Sequence, residues 1–156
     1  FIHGEQTAVT ENRLTGFYRA CDALELEIPD AYIREGVYHD PDRCAELTRE
    51  LLRLPEPPTC ILMPDDFSSI GGRNAIHRMD LRLPEDISVA GYDGIQIASV
   101  MSPALTTYRQ DTQALGRTAA AKLIELIEKP RTALVDRVLI PGHLVEGASV
   151  RAIETL

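Results

Sequence analysis

Positive charge is in short supply in this sequence. Sixteen Lys and Arg stand against 24 Asp and Glu, a formal net charge of -8 over 156 residues. Gripping a polyphosphate backbone needs a face rich in Lys and Arg, so direct nucleic-acid binding by this chain is not expected. No apolar run approaches the roughly 20 residues that cross a bilayer. The opening FIHGEQTAV has no basic stretch leading into a long apolar one, so no signal peptide is expected there. Repeats and low-complexity segments are missing as well. Cysteine is sparse: Cys21, Cys44 and Cys60 are odd in number, form no CxxC and have no His at ligand spacing. They read as small core residues of a protein in a reducing cytoplasm. His3, His39, His77 and His143 show no metal spacing either and read as surface or loop residues. Neither a metal nor a cofactor is expected.

What is present describes a globular domain, or part of a larger one: 44% hydrophobic and 26% charged residues. Leu14, Phe17, Cys21 and Leu24 recur at helical spacing between Thr10, read as a cap, and Leu26. After Pro29, AYIREG (31–36) reads as a short strand. Asp40 and Pro41 supply a cap and a first-turn proline for a helix over 41–54 carrying Cys44, Leu47 and Leu51 on one face. TCILM (59–63) and ISVAGY (87–92) are continuous apolar strands of the kind covered on both faces of a parallel sheet. Between them Asp66 or Ser68 opens a helix to about Met79. The stretch after Gly94 has no clear period. Asp111 then caps a helix to about Glu128 with Leu115, Ala119, Leu123 and Leu126 as its buried stripe, and DRVLI (136–140) and LVEG (144–147) finish as strands.

Strands alternating with helices at this spacing predict a three-layer α/β/α sandwich on an open, doubly wound parallel sheet. Ligands of such sheets sit beyond the carboxyl ends of the strands. Each predicted strand ends in polar candidates there: Gly4 and Glu5, Tyr38, Asp65, and Asp93. The first strand has only Phe1 and Ile2 before its polar end, whereas strands usually run about five or six residues; the chain is expected to begin inside a strand.

The blocks RLTGF, PTCILMPDD, LRLPEDISVAGYD and SPALTTYRQDTQALGRTAA, in this order and spacing, resemble the effector-binding region of the lactose-repressor and galactose-repressor family of bacterial transcription regulators. That family has a helix-turn-helix headpiece, a hinge, and a two-lobed core like that of periplasmic sugar-binding proteins. The resemblance implies that residues 1–105 and 141–156 form an incomplete C-terminal lobe, truncated at its N-terminus, and that 106–140 reach into an incomplete N-terminal lobe. It implies that Arg13 holds effector hydroxyls or carboxylates, work that suits the planar guanidinium. Asp93 then accepts hydrogen bonds from effector hydroxyls, Asp65 stands where many members have Asn, and Tyr38 places a ring against a sugar face. Asp65 reads equally as a cap of the helix that follows it. Relatives build their subunit interface from the helix after the Asn-Asp pair and the segment after the strand-end acid, which puts Ile70, Val100 and Met101 at a two-fold contact of a homodimer.

Two departures stand out: Gly94 follows Asp93 where many relatives carry a second acid, and Pro64 precedes the Asp65-Asp66 pair. The glycine is a feature of periplasmic sugar-binding proteins, which keeps a secreted binding protein of a transporter as the alternative to a cytoplasmic repressor whose DNA contacts lie in a headpiece outside this chain. Drawn as a glycosidase pair, Asp65 and Asp93 lack anything that sets one pKa apart from the other. No enzyme activity and no catalytic residue are expected.

Overall fold

The computed structural model describes residues 1–132 and 137–152. Chain order is β1 (Ile2–His3), α1 (Ala8–Ala23), a 3-10 turn over Asp30–Tyr32, β2 (Arg34–Glu35), α2 (Pro41–Leu52), β3 (Cys60–Leu62), α3 (Ser69–Arg78), β4 (Ser88–Asp93), α4 (Gln96–Val100), β5 (Thr106–Arg109), α5 (Thr112–Glu128) and β6 (His143–Val145). β1 and β2 pair in parallel, and a second sheet runs β3-β4-β5-β6. Its first three strands are parallel and β6 is antiparallel to β5. The architecture is therefore α/β on parallel sheets, with β4, the strand of ISVAGY, inside its sheet. Arg137–Ile140 form no strand, because β6 already occupies the edge of β5; Asp136 of the expected DRVLI strand lies outside the described residues.

The core sits between the second sheet and the α2–α3 pair. Ile61, Met63 and Val89 meet Cys44, Leu47, Leu51 and Ile76, all at most 1% exposed. Period-two alternation in β3 sends Ile61 toward these helices and leaves Leu62 for the side of α1. Gly71 lies so close to the Pro41 carbonyl that any Cβ there would overlap it, and Gly72 faces Met63 and Thr48 in the same way. α2 starts as expected: the Asp40 side chain accepts from the Arg43 N–H, with Pro41 in the first turn. α5 does too, with Asp111 accepting from Ala114.

Several expectations are corrected. The cap of α1 is Thr7, which accepts from Thr10 N–H; Thr10 is inside the helix and fully buried. Leu24 is the C-cap and exposed. Cys21 and Cys44 are buried, but Cys60 is exposed at the start of β3. His3 is buried in β1, with Nδ1 2.7 Å from the Gly4 carbonyl oxygen. α5 has no buried residue, and Leu115, Leu123, Ile124 and Ile127 are all exposed. Its stripe is real in the sequence, but no layer of the described chain covers it. α4 escaped notice because five residues are too few to show a helical period.

Two buried side chains stitch the sheet. Ser149 donates to the Val89 carbonyl (2.6 Å) and accepts from the Thr106 N–H (2.8 Å), bridging β4 and β5 where their own pairing begins. Asp66, fully buried, accepts from the Thr107 hydroxyl (2.6 Å) and the Ile95 N–H (2.9 Å). It thereby ties the end of β3 to β5 and to the loop after β4. Burial holds the Asp66 carboxyl above its ordinary value, against the pull of those donors.

Asp66→Ala should lower stability by about 3 kcal/mol in urea denaturation, since it strands two buried donors. Asp66→Asn should cost less than half as much. An acid raised above 3.8 in the fold contributes stability that is present at low pH and lost as pH rises through the raised value. The Asn variant should therefore gain on the wild type between pH 3 and 7, and a constant difference would contradict this.

Candidate functional site

Arg13 sits in the second turn of α1, at the carboxyl ends of the strands. Its Nη1 donates to the Pro64 carbonyl (2.7 Å), which follows β3. The guanidinium carbon stands 3.7 Å from the centre of the Tyr92 ring and 5.3 Å from that of Tyr38. These cation–π contacts with two rings orient the planar fork. Nη2 is 4.0 Å from Asp93 Oδ1, and the two side chains are 19% and 23% exposed. Nε is buried with no partner among the described residues.

Asp93 closes β4. A regular strand sends neighbouring residues to opposite faces, yet Tyr92 and Asp93 both face Arg13. The chain has left the pleat there: φ is +110° at Asp93, an uncommon region for a residue with a side chain, and +69° at Gly94. A Cβ on Gly94 would strike Arg109, so glycine after the acid is a requirement of this turn. Asp93 Oδ1 accepts from the Gln110 side-chain amide at 2.7 Å. Burial raises the Asp93 carboxyl from its ordinary value; the Gln110 hydrogen bond and the Arg13 charge pull it down, Asp65 pushes it up, and His39 pulls it down.

The other two candidates divide. Tyr38 is half-buried beside Arg13, its hydroxyl 3.0 Å from that of Thr10 and its ring filling the space over Gly4. Asp65 is 1% exposed and fully engaged: Oδ1 accepts from Ser68 N–H (2.7 Å), and Oδ2 from Ser68 Oγ (2.8 Å) and His39 N–H (2.9 Å). Its carboxylate joins the approach to α2 to the start of α3. Of the two roles read for it from the sequence, this geometry is nearer the cap, although the capping residue of α3 is Ser68 and Asp65 holds it in place.

Two hollows flank the Arg13–Asp93 pair. One, of about 590 Å³, runs along the sheet under α1 and is lined by Phe1, Arg13, Phe17, Leu62 and Tyr92. The other, of about 570 Å³, lies at the ends of β4 and β5 and is lined by Asp93, Arg109, Gln110, Asp111 and His143. Arg13 opens on the first and Asp93 on the second. Tyr92 and Gln110 were missed as site residues. Tyr92 was hidden because strand alternation assigns it to the far face from Asp93, and Gln110 because nothing local marks it.

Of the interface candidates, Val100 is 72% exposed, Ile70 is half-buried, and Met101 packs against the core of its own chain.

Residues 1–150 match the periplasmic binding protein-like domain. The HTH-type transcriptional repressor PurR of Escherichia coli is 33% identical over 143 residues, 89% of this chain and 42% of that protein. A LacI transcriptional regulator from Bacillus cereus subsp. cytotoxis superposes with a TM-score of 0.92 at 25% identity, over 99% of this chain and 54% of the other. A complex of the transcriptional regulator CelR with cellobiose gives 0.84 at 26% identity, over 95% and 46%. A dimeric lac repressor with a C-terminal deletion gives 0.85 at 29%, over 96% and 54%. The chain thus spans about half the length of the relatives it matches. With the domain match covering almost all of it and the strand-end site set in the same fold, the chain belongs to the periplasmic binding protein-like family, in its lactose-repressor branch.

Proposed function

We propose that this chain is the C-terminal part of the effector-binding core of a bacterial transcription regulator, and that the effector is a sugar. The observation that carries this reading is the Arg13–Asp93 pair: a stacked, pinned guanidinium and a half-buried carboxylate 4.0 Å apart at the carboxyl ends of the strands. A planar donor fork beside an acceptor, with the rings of Tyr38 and Tyr92 next to them, matches the edge and face of a polyol. The CelR relative, solved with cellobiose, supports a saccharide.

Of the described residues, 1–105 and 141–152 serve one lobe, and the stretch from 106 leads to the other. Because Thr106–Arg109 are paired with β4, the crossing itself is drawn after Arg109. The exposed apolar face of α5 is what a helix belonging to a second lobe presents. Effector bound between lobes favours one of their arrangements, and that choice alters the DNA affinity of a headpiece outside this chain. The protein acts in the cytoplasm as a homodimer, which the dimeric lac repressor supports. Ile70 and Val100 lie at its two-fold contact, with Met101 behind them. The secreted alternative is weaker because the named relatives are transcriptional repressors and regulators. Catalysis by an Asp65–Asp93 pair is weaker still, since both Asp65 oxygens are committed to backbone and serine donors.

Titration calorimetry of the whole protein against a panel of mono- and disaccharides that includes cellobiose tests the site. Asp93→Ala and Arg13→Ala should each weaken binding by about 1.5 to 3 kcal/mol, and Arg13→Lys should not rescue, since an ammonium cannot reproduce the fork. Wild-type affinity in Asp93→Ala would remove the carboxylate from the site. Asp65→Ala should instead lower the unfolding midpoint.

Sedimentation tests the contact. Val100→Glu, an exposed position that leaves the core intact, should shift the whole protein from dimer toward monomer; an unchanged dimer would place the interface elsewhere.

A further inference from the structure

The Gln110 side chain is spent on one bond, and where that bond lies matters. Its amide donates to Asp93 Oδ1 at 2.7 Å, and its backbone N–H donates to the Asp93 carbonyl at 3.2 Å. Gln110 is the first residue after β5. The next residue, Asp111, caps α5 through the Ala114 N–H, and the Thr112 N–H returns to the Gln110 carbonyl at 3.0 Å. On the other side of the turn, Arg109 Nε donates to the Gly94 carbonyl at 3.1 Å. The residue at the end of β4 is thus bound, through side chain and backbone together, to the point where the chain departs toward α5.

Asp93 needs such a hold. It has left the pleat at φ +110°, and the groups facing its carboxylate pull in different directions: Arg13 and His39 attract it, Asp65 repels it. We propose that Gln110 is a latch, a positioning residue that fixes the Asp93 carboxylate and transmits its state to the first turn of α5. This rests on the reading of Asp93 as an effector contact. A ligand hydroxyl that draws on Asp93 then weakens or strengthens the Gln110 bond, and the start of the 110–128 segment responds. Coupling of this kind needs a contact that both ends bias, and the single Gln110–Asp93 hydrogen bond at the chain crossing is in place to be one.

The latch is measurable without ligand. In wild type the Gln110 side-chain amide resonances should shift with the titration of Asp93, and Gln110→Ala should raise the Asp93 pKa measured by carboxyl NMR. Gln110→Ala should also speed amide hydrogen exchange at Thr112 to Leu115 by about tenfold. Asp93→Ala should do the same, and the double variant should add nothing further. Gln110→Asn, one methylene short, should behave like the Ala variant. Additive effects, or unchanged exchange in Gln110→Ala, would overturn the latch. The ligand arm uses cellobiose or whichever panel saccharide binds the wild type: it should alter exchange in the first turn of α5 in the wild type and not in Gln110→Ala. A response that survives in Gln110→Ala also overturns the latch. Failure of every saccharide to bind the wild type sinks the sugar reading alone, because the ligand-free measurements still decide the latch.

Discussion

The buried carboxylate of Asp66 is the constraint on which the site geometry depends. β3, β4 and β5 end at the same rim, and at that rim the backbone ladder gives out, because Asp93 and Gly94 have turned away from strand dihedrals. Asp66 supplies what the ladder no longer can. It accepts from the Ile95 N–H beyond the turn and from Thr107 on β5, while its own N–H donates to the Tyr92 carbonyl at 2.9 Å. The two chain segments that carry Tyr92 with Asp93 and Gln110 are so held to the end of β3 at one point. The fold keeps an acid in its interior to do it, a cost that apolar packing in the α2–α3 layer offsets.

Above that clamp the site has a stiff side and a poised side. Arg13 has three independent restraints, the Pro64 carbonyl and two rings, so little rotamer entropy remains to be lost when it meets a ligand. Asp93 is held by fewer bonds and in a less comfortable backbone region. Its ionisation is also open to every neighbour that changes charge, since burial already works against the charged form. On the proposed reading, such a pair would recognise geometry with one partner and report on it with the other.

Much of this was legible in the residues. Asp40-Pro41 and Asp111 announced two helix starts because capping chemistry is local, and TCILM and ISVAGY announced interior strands because fully covered strands need continuous apolar runs. Thr7 was passed over for Thr10 since both are competent caps, and only the packing of Thr10 against Tyr38 decides between them. The α5 stripe shows the limit of periodicity: it reports which face is apolar and is silent on whether anything in the chain meets it. At the site, Arg13 and Asp93 were nameable through the family resemblance, whereas the division of labour between Asp65 and Asp66 was not. Two adjacent acids at a strand end differ only in which one tertiary donors reach from which side, and Ser68, His39, Ile95 and Thr107 come from four places in the chain.

The contact of Gly71 with the Pro41 carbonyl has a consequence for how the molecule can deform. Where the first turns of α2 and α3 touch backbone to backbone there is no side-chain layer to re-pack, so sliding or rolling at that end meets a clash, and the pair acts there as a girder. Tyr38 and Asp65 are mounted at the end of that girder, just before each helix. Compliance in the rim is therefore concentrated on the opposite bank, at Asp93, Gly94 and Gln110, so that one bank is a wall and the other a hinge.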